Sequence, residues 1–325
     1  MQDAYQREIN YLRVSVTDRC NLRCVYCMPP GGVKLISHDQ VLRNEEIVRL
    51  VNAAAMVGIT KIRLTGGEPL VRKGLAQLVE AIAEVPGIDD IALTTNGILL
   101  PSMADTLKEA GLKRVNISLD TLDPGLFRRI TRSGEIDQVW KGIDTALDRG
   151  LNPVKINTVV MRGINDSEIG EIAALTLKYP LHVRFIELMP VGVSDAWAKE
   201  KVVPTAKIKS EIEGTLGTMG ETHKPFGNGP ARYYHISGAP GTIGFISAVS
   251  NHFCQGCNRL RLTSEGMIRP CLHNGFEINA RTPLRSGAGD LELASLFRQA
   301  VMNKPHQHSL HSGWNDEKRM SQIGG

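Results

Sequence analysis

Six strand-like segments, most followed by a helical one, run in order from Tyr11 to Glu187, and that alternation leaves the chain very few folds. The strand-like runs are Tyr11–Thr17, Lys61–Thr65, Ile91–Thr95, Arg114–Leu119, Val154–Val160 and Leu181–Glu187. Between them, helical spacing runs from Asn44, read as a cap, to Val57, with Ile47, Leu50, Val51 and Ala54 on one face. It recurs over Leu75–Glu84, from Pro101 to Gly111, over Leu126–Thr131 and Val139–Arg149, and from Asp166 to Lys178. Successive β–α–β units are right-handed and build a parallel sheet. The expected fold class is α/β: a partial, six-stranded parallel βα barrel of incomplete TIM type, with a C-terminal extension. Eight strands cannot be counted, so closure is not expected. Ligands of such sheets gather at the C-terminal strand ends, where the glycine-rich and polar motifs of this chain fall.

After Pro190 the pattern changes. Asp195–Lys201 is charged, Thr205–Ile212 reads as a short helix capped by Thr205, and 214–230 is glycine-rich. Arg232–Ile236 and Gly241–Ile246 read as short antiparallel strands, and Leu291–Met302 as a helix. The polar tail from Asn303 is expected to be mobile until its last residues, with His306, His308 and His311 solvated rather than metal-binding. Two domains are expected: 1–230 as the core and 231–325 as the extension.

The chain has 325 residues, 42% of them apolar, and a net charge of +4, far from a nucleic-acid-binding composition but compatible with an anionic small substrate. No run of 18 apolar residues and no apolar signal core is present, so a cytoplasmic protein without membrane contact is expected. Six cysteines in that compartment point to metal or redox chemistry rather than disulfides.

The cysteines divide into two triplets. Cys20, Cys24 and Cys27 have C-x3-C-x2-C spacing directly after the first strand. Three such thiolates can hold three irons of a 4Fe–4S cube, leaving one iron open. A zinc knuckle or inert thiols are the alternatives; zinc prefers paired C-x2-C units and four closed ligands. Cys254, Cys257 and Cys271 form C-x2-C-x13-C. That triplet suits either a second cube or a zinc ion completed by His252 or His273.

Other residues carry weaker signals. Gly66-Gly67-Glu68-Pro69 ends the second strand, where glycine admits close approach of a ligand. Arg13, Arg63 and Lys155 each interrupt an apolar strand. A buried cation wants an anionic partner, either a ligand or a carboxylate such as Asp18 or Glu187. Arg259 and Arg261 alternate with Leu260, so both can face one way.

The first triplet with Tyr26 resembles the signature of the radical S-adenosylmethionine superfamily. With Leu12–Cys20, Ile62–Pro69, Leu93–Gly97, Asn116–Asp120, Val154–Asn157, Arg184–Met189, the Cys257–Arg261 run and the terminal Gly324-Gly325, the chain resembles the GTP 3′,8-cyclase family of molybdenum-cofactor biosynthesis. The resemblance implies two 4Fe–4S clusters, on Cys20, Cys24, Cys27 and on Cys254, Cys257, Cys271. It implies S-adenosylmethionine held at Tyr26, Gly67, Glu68, Ser118 and Met189. GTP is expected at Arg13, Arg63, Thr94, Lys155, Arg259 and Arg261, the last two also serving catalysis, with the diglycine threaded into the site. It further implies a flavodoxin- or ferredoxin-like electron donor, a downstream pterin-forming enzyme and a homodimer. Rival readings are a radical peptide-modifying enzyme, an iron–sulfur electron carrier, and a zinc-stabilised nucleotide-binding module.

Overall fold

The structure is a computed structural model that describes residues 1–191, 195–222, 228–308 and 318–324. Six strands follow the alternation: β1 (Tyr11–Ser15), β2 (Lys61–Thr65), β3 (Asp90–Thr95), β4 (Arg114–Ser118), β5 (Lys155–Val160) and β6 (His182–Glu187). They lie side by side in chain order and in parallel. Between them come α1 (Asn44–Ala55), α2 (Leu75–Ala83), α3 (Ala104–Glu109), α4 (Pro124–Thr131), α5 (Ile136–Asp148) and α6 (Ile169–Lys178). Beyond β6 lie α7 (Asp195–Lys201), α8 (Thr205–Leu216), β7 (Gly220–Thr222), β8 (Arg232–His235) and β9 (Thr242–Ile246). They are followed by β10 (Arg259–Leu262), β11 (Met267–Arg269), β12 (Ile278–Asn279), α9 (Arg281–Arg285), α10 (Asp290–Met302) and α11 (Met320–Ile323).

The sheet is larger than the six expected strands. β10 joins β1 in parallel and β9 joins β6 in parallel, so eight parallel strands stand in a row. The hairpin partners β11–β12 and β8–β7 extend the two edges antiparallel. β8 and β9 pair antiparallel, as their sequences suggest.

Period-2 alternation sorts each parallel strand into two faces. Leu12, Val14, Ile62, Leu64, Val183, Phe185, Leu260 and Leu262 join the main apolar core, which the helices share. The residues between them, among them Arg13, Arg63, Arg184, Arg259 and Arg261, line a cavity. One helix shows why the layer forms: Ile47, Leu50, Val51 and Ala54 of α1 are all buried, removing apolar area from water at about 25 cal/mol per Å².

Three local expectations are corrected. Helix α1 is capped at Arg43, whose amide donates 2.7 Å to Glu46, while Asn44 binds Arg72 and the Gly74 carbonyl. Helix α8 is preceded by Pro204 as its cap, and Thr205 donates through its amide and hydroxyl to Glu187 at 2.7 and 2.8 Å. The tail is not free over its first residues. Lys304 is 4% exposed, and its Nζ donates 2.8 Å to the Arg259 carbonyl and 2.7 Å to that of Pro270.

Arg7 is the other clamp on this region. It donates 2.6 Å to Asp3, and its two terminal nitrogens donate to the carbonyls of Cys254, Pro305 and His306 at 2.7–2.9 Å. Asp3 has no exposed side-chain surface, so losing its partner strands a buried charge. Arg7→Met is expected to cost about 3 kcal/mol or more, read as a lowered urea midpoint with unchanged slope. No helix among the described residues is long and apolar enough to cross a membrane.

Candidate active site

Both cysteine triplets open on one cavity of about 350 Å³ at the C-terminal strand ends. The first triplet follows β1 and is held against the end of β2. The Gly67 amide donates 2.8 Å to the Thr17 carbonyl, and the Glu68 amide donates 2.8 Å to that of Arg19, directly before Cys20. A Cβ on Gly67 would stand 2.3 Å from the Arg19 carbonyl oxygen. Glycine here is a steric requirement of two backbones in contact.

Burial pushes the Cys20 thiol up to about 11. Burial, then the neighbouring Cys20, raises Cys27 to about 12, and Cys24 is raised by burial and then by Cys27. Three buried thiols that repel one another as thiolates suit a cation at their centre. Beside them, Tyr26 donates 2.7 Å to Asp120, whose carboxyl burial raises to about 6. Glu68, 1% exposed, accepts from Thr95 and the Asn96 amide at 2.7 Å and the Leu70 amide at 3.1 Å. Burial nevertheless outweighs these donors and lifts its carboxyl to about 7. Ser118 and Met189 line the same cavity.

A row of cations crosses the sheet. Arg13 is in register with Arg63 on one side and Arg261 on the other. Arg63 donates to the Tyr11 hydroxyl and, at 3.4 Å, to Thr94. The proposed carboxylate partners are engaged differently: Asp18 accepts from the Ile36 amide, and Glu187 from Thr205, Val249 and Ser250. Lys155 is 2% exposed and does not line the cavity. Burial, then Arg184, Arg114 and Arg63, bring its ammonium down to about 6.

Sequence reasoning missed Arg184, whose terminal nitrogen donates 2.5 Å to Asn157 while Nε, shut from solvent, has no hydrogen-bond partner among the described residues. It carries the signal that exposed Arg63, a cation in an apolar strand. Asp120, Tyr11 and Lys304 were also missed; Lys304 sits in a polar tail with no periodic pattern to mark it.

The second triplet lies before β10 and after β11. Burial raises the Cys257 thiol, but the charges of Arg259 and Lys304 outweigh burial and bring it down to about 6. Arg259 stacks its guanidinium 4.8 Å from the Phe253 ring centre. Arg261 donates 2.5 Å to the Gly324 carbonyl. Gly324 has φ +81°, and a Cβ there would meet Thr65 Oγ1 at 2.6 Å. Ser321 lines the same cavity as Cys27. The last described residues thus reach the cavity wall, while Gly325 lies outside the described residues.

Residues 14–176 match the model of the Radical SAM superfamily, and residues 181–310 that of Molybdenum Cofactor Synthesis C. Proteins named GTP 3′,8-cyclase from Pelotomaculum thermopropionicum and Heliobacterium modesticaldum are 58% and 56% identical, with 100% of both chains covered. The chain belongs to the GTP 3′,8-cyclase family. Streptococcus suis SuiB bound to S-adenosylmethionine shares the fold at a TM-score of 0.61 and 16% identity, over 93% of this chain and 77% of that one. The cyclase family is a radical S-adenosylmethionine family, so the chain is an enzyme that uses a 4Fe–4S cluster and S-adenosylmethionine.

Proposed function

We propose that the chain converts GTP to (8S)-3′,8-cyclo-7,8-dihydroguanosine 5′-triphosphate, the first step of molybdenum-cofactor biosynthesis. The observation that carries this reading is the single cavity onto which two cysteine triplets and the Arg13–Arg63–Arg261 row all open.

The residues present fit two cubes. A tetrahedral zinc–thiolate site, with Zn–S near 2.3 Å, sets its sulfurs about 4 Å apart. Among the described residues neither triplet brings its three sulfurs mutually within 4.8 Å, which favours a larger group at each. Cys20, Cys24 and Cys27 hold the first cluster; Cys254, Cys257 and Cys271 hold the second. When bound, the first cluster and S-adenosylmethionine supply one-electron cleavage of a C–S bond and removal of the hydrogen on carbon 3′ of GTP.

The chain's own side chains do the positioning. Tyr26, Gly67, Ser118 and Met189 line the S-adenosylmethionine site. Glu68, near half-protonated at neutral pH when alone, ionises beside the methionine ammonium and accepts from it. Arg13, Arg63, Arg184, Arg259 and Arg261 face the polyanionic triphosphate, with Thr94 in reach of Arg63. Arg259 and Arg261 are the catalytic pair, and Arg261 also holds the C-terminal segment that narrows water access. Residues 1–230 form the core unit and 231–325 carry the second cluster, as the placement of the two triplets supports. A flavodoxin- or ferredoxin-like donor supplies the electron, and a pterin-forming enzyme consumes the product. A homodimer in the cytoplasm is the working form, a reducing compartment being what six free cysteines require.

Lys155 gives a proton-linked expectation. Its depressed ammonium is largely neutral at pH 8. A triphosphate that neutralises Arg63 and Arg184 restores its charge, so GTP binding takes up protons and weakens as pH rises above about 6. Calorimetry in buffers of different ionisation enthalpy is expected to show this uptake, and Lys155→Met to lower it by up to about one proton.

The reading is tested anaerobically with the iron- and sulfide-reconstituted chain. 5′-Deoxyadenosine is expected only with GTP, alongside a product isomeric with GTP. 5′-Deoxyadenosine without GTP turnover would move the substrate to a peptide or another small molecule; none at all, with the first cluster loaded, would leave an electron carrier.

A further inference from the structure

A single metal ion and a cube demand different donor spacings, and Cys254 belongs to a set of each size. The wide set is its own triplet. The narrow set is His252, Cys254 and His308, which each place one ligand atom within 4.8 Å of the others. One thiolate and two imidazoles are the donor chemistry of zinc-class ions.

The two histidines are prepared for this role in different ways. His308 Nε2 lies 3.1 Å from the Ala248 carbonyl oxygen, which can only accept. Nε2 therefore carries the proton and Nδ1 the lone pair, the tautomer that a backbone carbonyl imposes on metal-bound histidine. His252 Nδ1 is shut from solvent and has no hydrogen-bond partner among the described residues, a cost that a metal bond removes. Their ring centres are 4.9 Å apart at 70°, so the rings converge without stacking.

We propose that in the chain lacking its second cluster, His252, Cys254 and His308 hold one divalent thiophilic cation of the zinc class, with water completing the tetrahedron. The tail residue His308 is thus a ligand rather than a solvated side chain. Because Cys254 serves both sets, the ion and the second cluster exclude each other. That consequence, unlike the ion site, rests on the reading of Cys254 as a cluster ligand.

The test is an anaerobic titration of the cluster-free, full-length chain with Co²⁺, in a background carrying Cys20→Ser, Cys24→Ser and Cys27→Ser. One cobalt per chain is expected, with thiolate charge-transfer absorption of a single sulfur. His252→Ala with His308→Ala is expected to abolish stoichiometric binding, since it leaves one thiolate of the three protein ligands, whereas Cys257→Ser with Cys271→Ser retains it. Cobalt retained by the histidine variant, or lost from the Cys257/Cys271 variant, would overturn the proposal. Should the serine background not fold, the unmodified chain serves, and the histidine variant must then bind one cobalt fewer. Zinc preloading of the serine-background chain is expected to block its remaining iron uptake; iron uptake that never involves Cys254, with the cobalt site intact, would instead contradict the second-cluster reading.

Discussion

Cys24→Ser is expected to remove about four of the roughly eight irons of the reconstituted chain and to abolish 5′-deoxyadenosine formation. The effect is total because three thiolates are the minimum for a cube with one open iron, and Cys24 sits between its two partners in the loop after β1. Its thiol is raised by burial and then by Cys27, so the thiolate there calls for a bound cation. Cys257→Ser is the informative contrast. It leaves the first triplet intact and is expected to keep the spectroscopic signature of the reduced first cluster while losing the GTP-derived product. Iron analysis and electron paramagnetic resonance on the two variants separate them. If both lost all iron, the triplets would not be independent sites.

Gly67→Ala is expected to destabilise the chain by about 3 kcal/mol and to lose the first cluster. A Cβ at 2.3 Å from the Arg19 carbonyl oxygen and 2.9 Å from that of Asp18 meets backbone, which no rotamer change relieves. The only relief is to push away the Thr17–Arg19 segment, and that segment carries Cys20. Gly31→Ala is the control: a Cβ there has nothing within 4 Å, and its stability is expected to stay within about 0.5 kcal/mol. Urea unfolding and iron content measure both. A Gly67→Ala chain that keeps its iron would mean the loop has room to move.

The six central strands were legible because each is a short apolar run with its own period and its own turn residues. Five of their twelve ends moved, by one or two residues, and Lys61–Thr65 did not move at all. What sequence could not display is pairing at long range. Arg259 stands opposite Tyr11 in parallel, and Thr242 opposite His182, and nothing local in either run announces a partner so far away. The eight-strand row was missed for that reason. The inward cations were half read: Arg13 and Arg63 were taken up and Arg184 was not, although all three interrupt apolar strands. Arg7 and Lys304 were opaque, since each acts through backbone carbonyls in segments without periodicity. Lys155 was picked out as a buried cation, but only the fold places it behind the cavity wall.

The most direct measurement uses GTP deuterated at carbon 3′, incubated anaerobically with the reconstituted, reduced chain and S-adenosylmethionine. Mass analysis of the 5′-deoxyadenosine is predicted to find one deuterium from each GTP consumed. Unlabelled 5′-deoxyadenosine formed together with GTP consumption would contradict hydrogen removal at that carbon and, with it, the assignment of the cavity to GTP cyclisation.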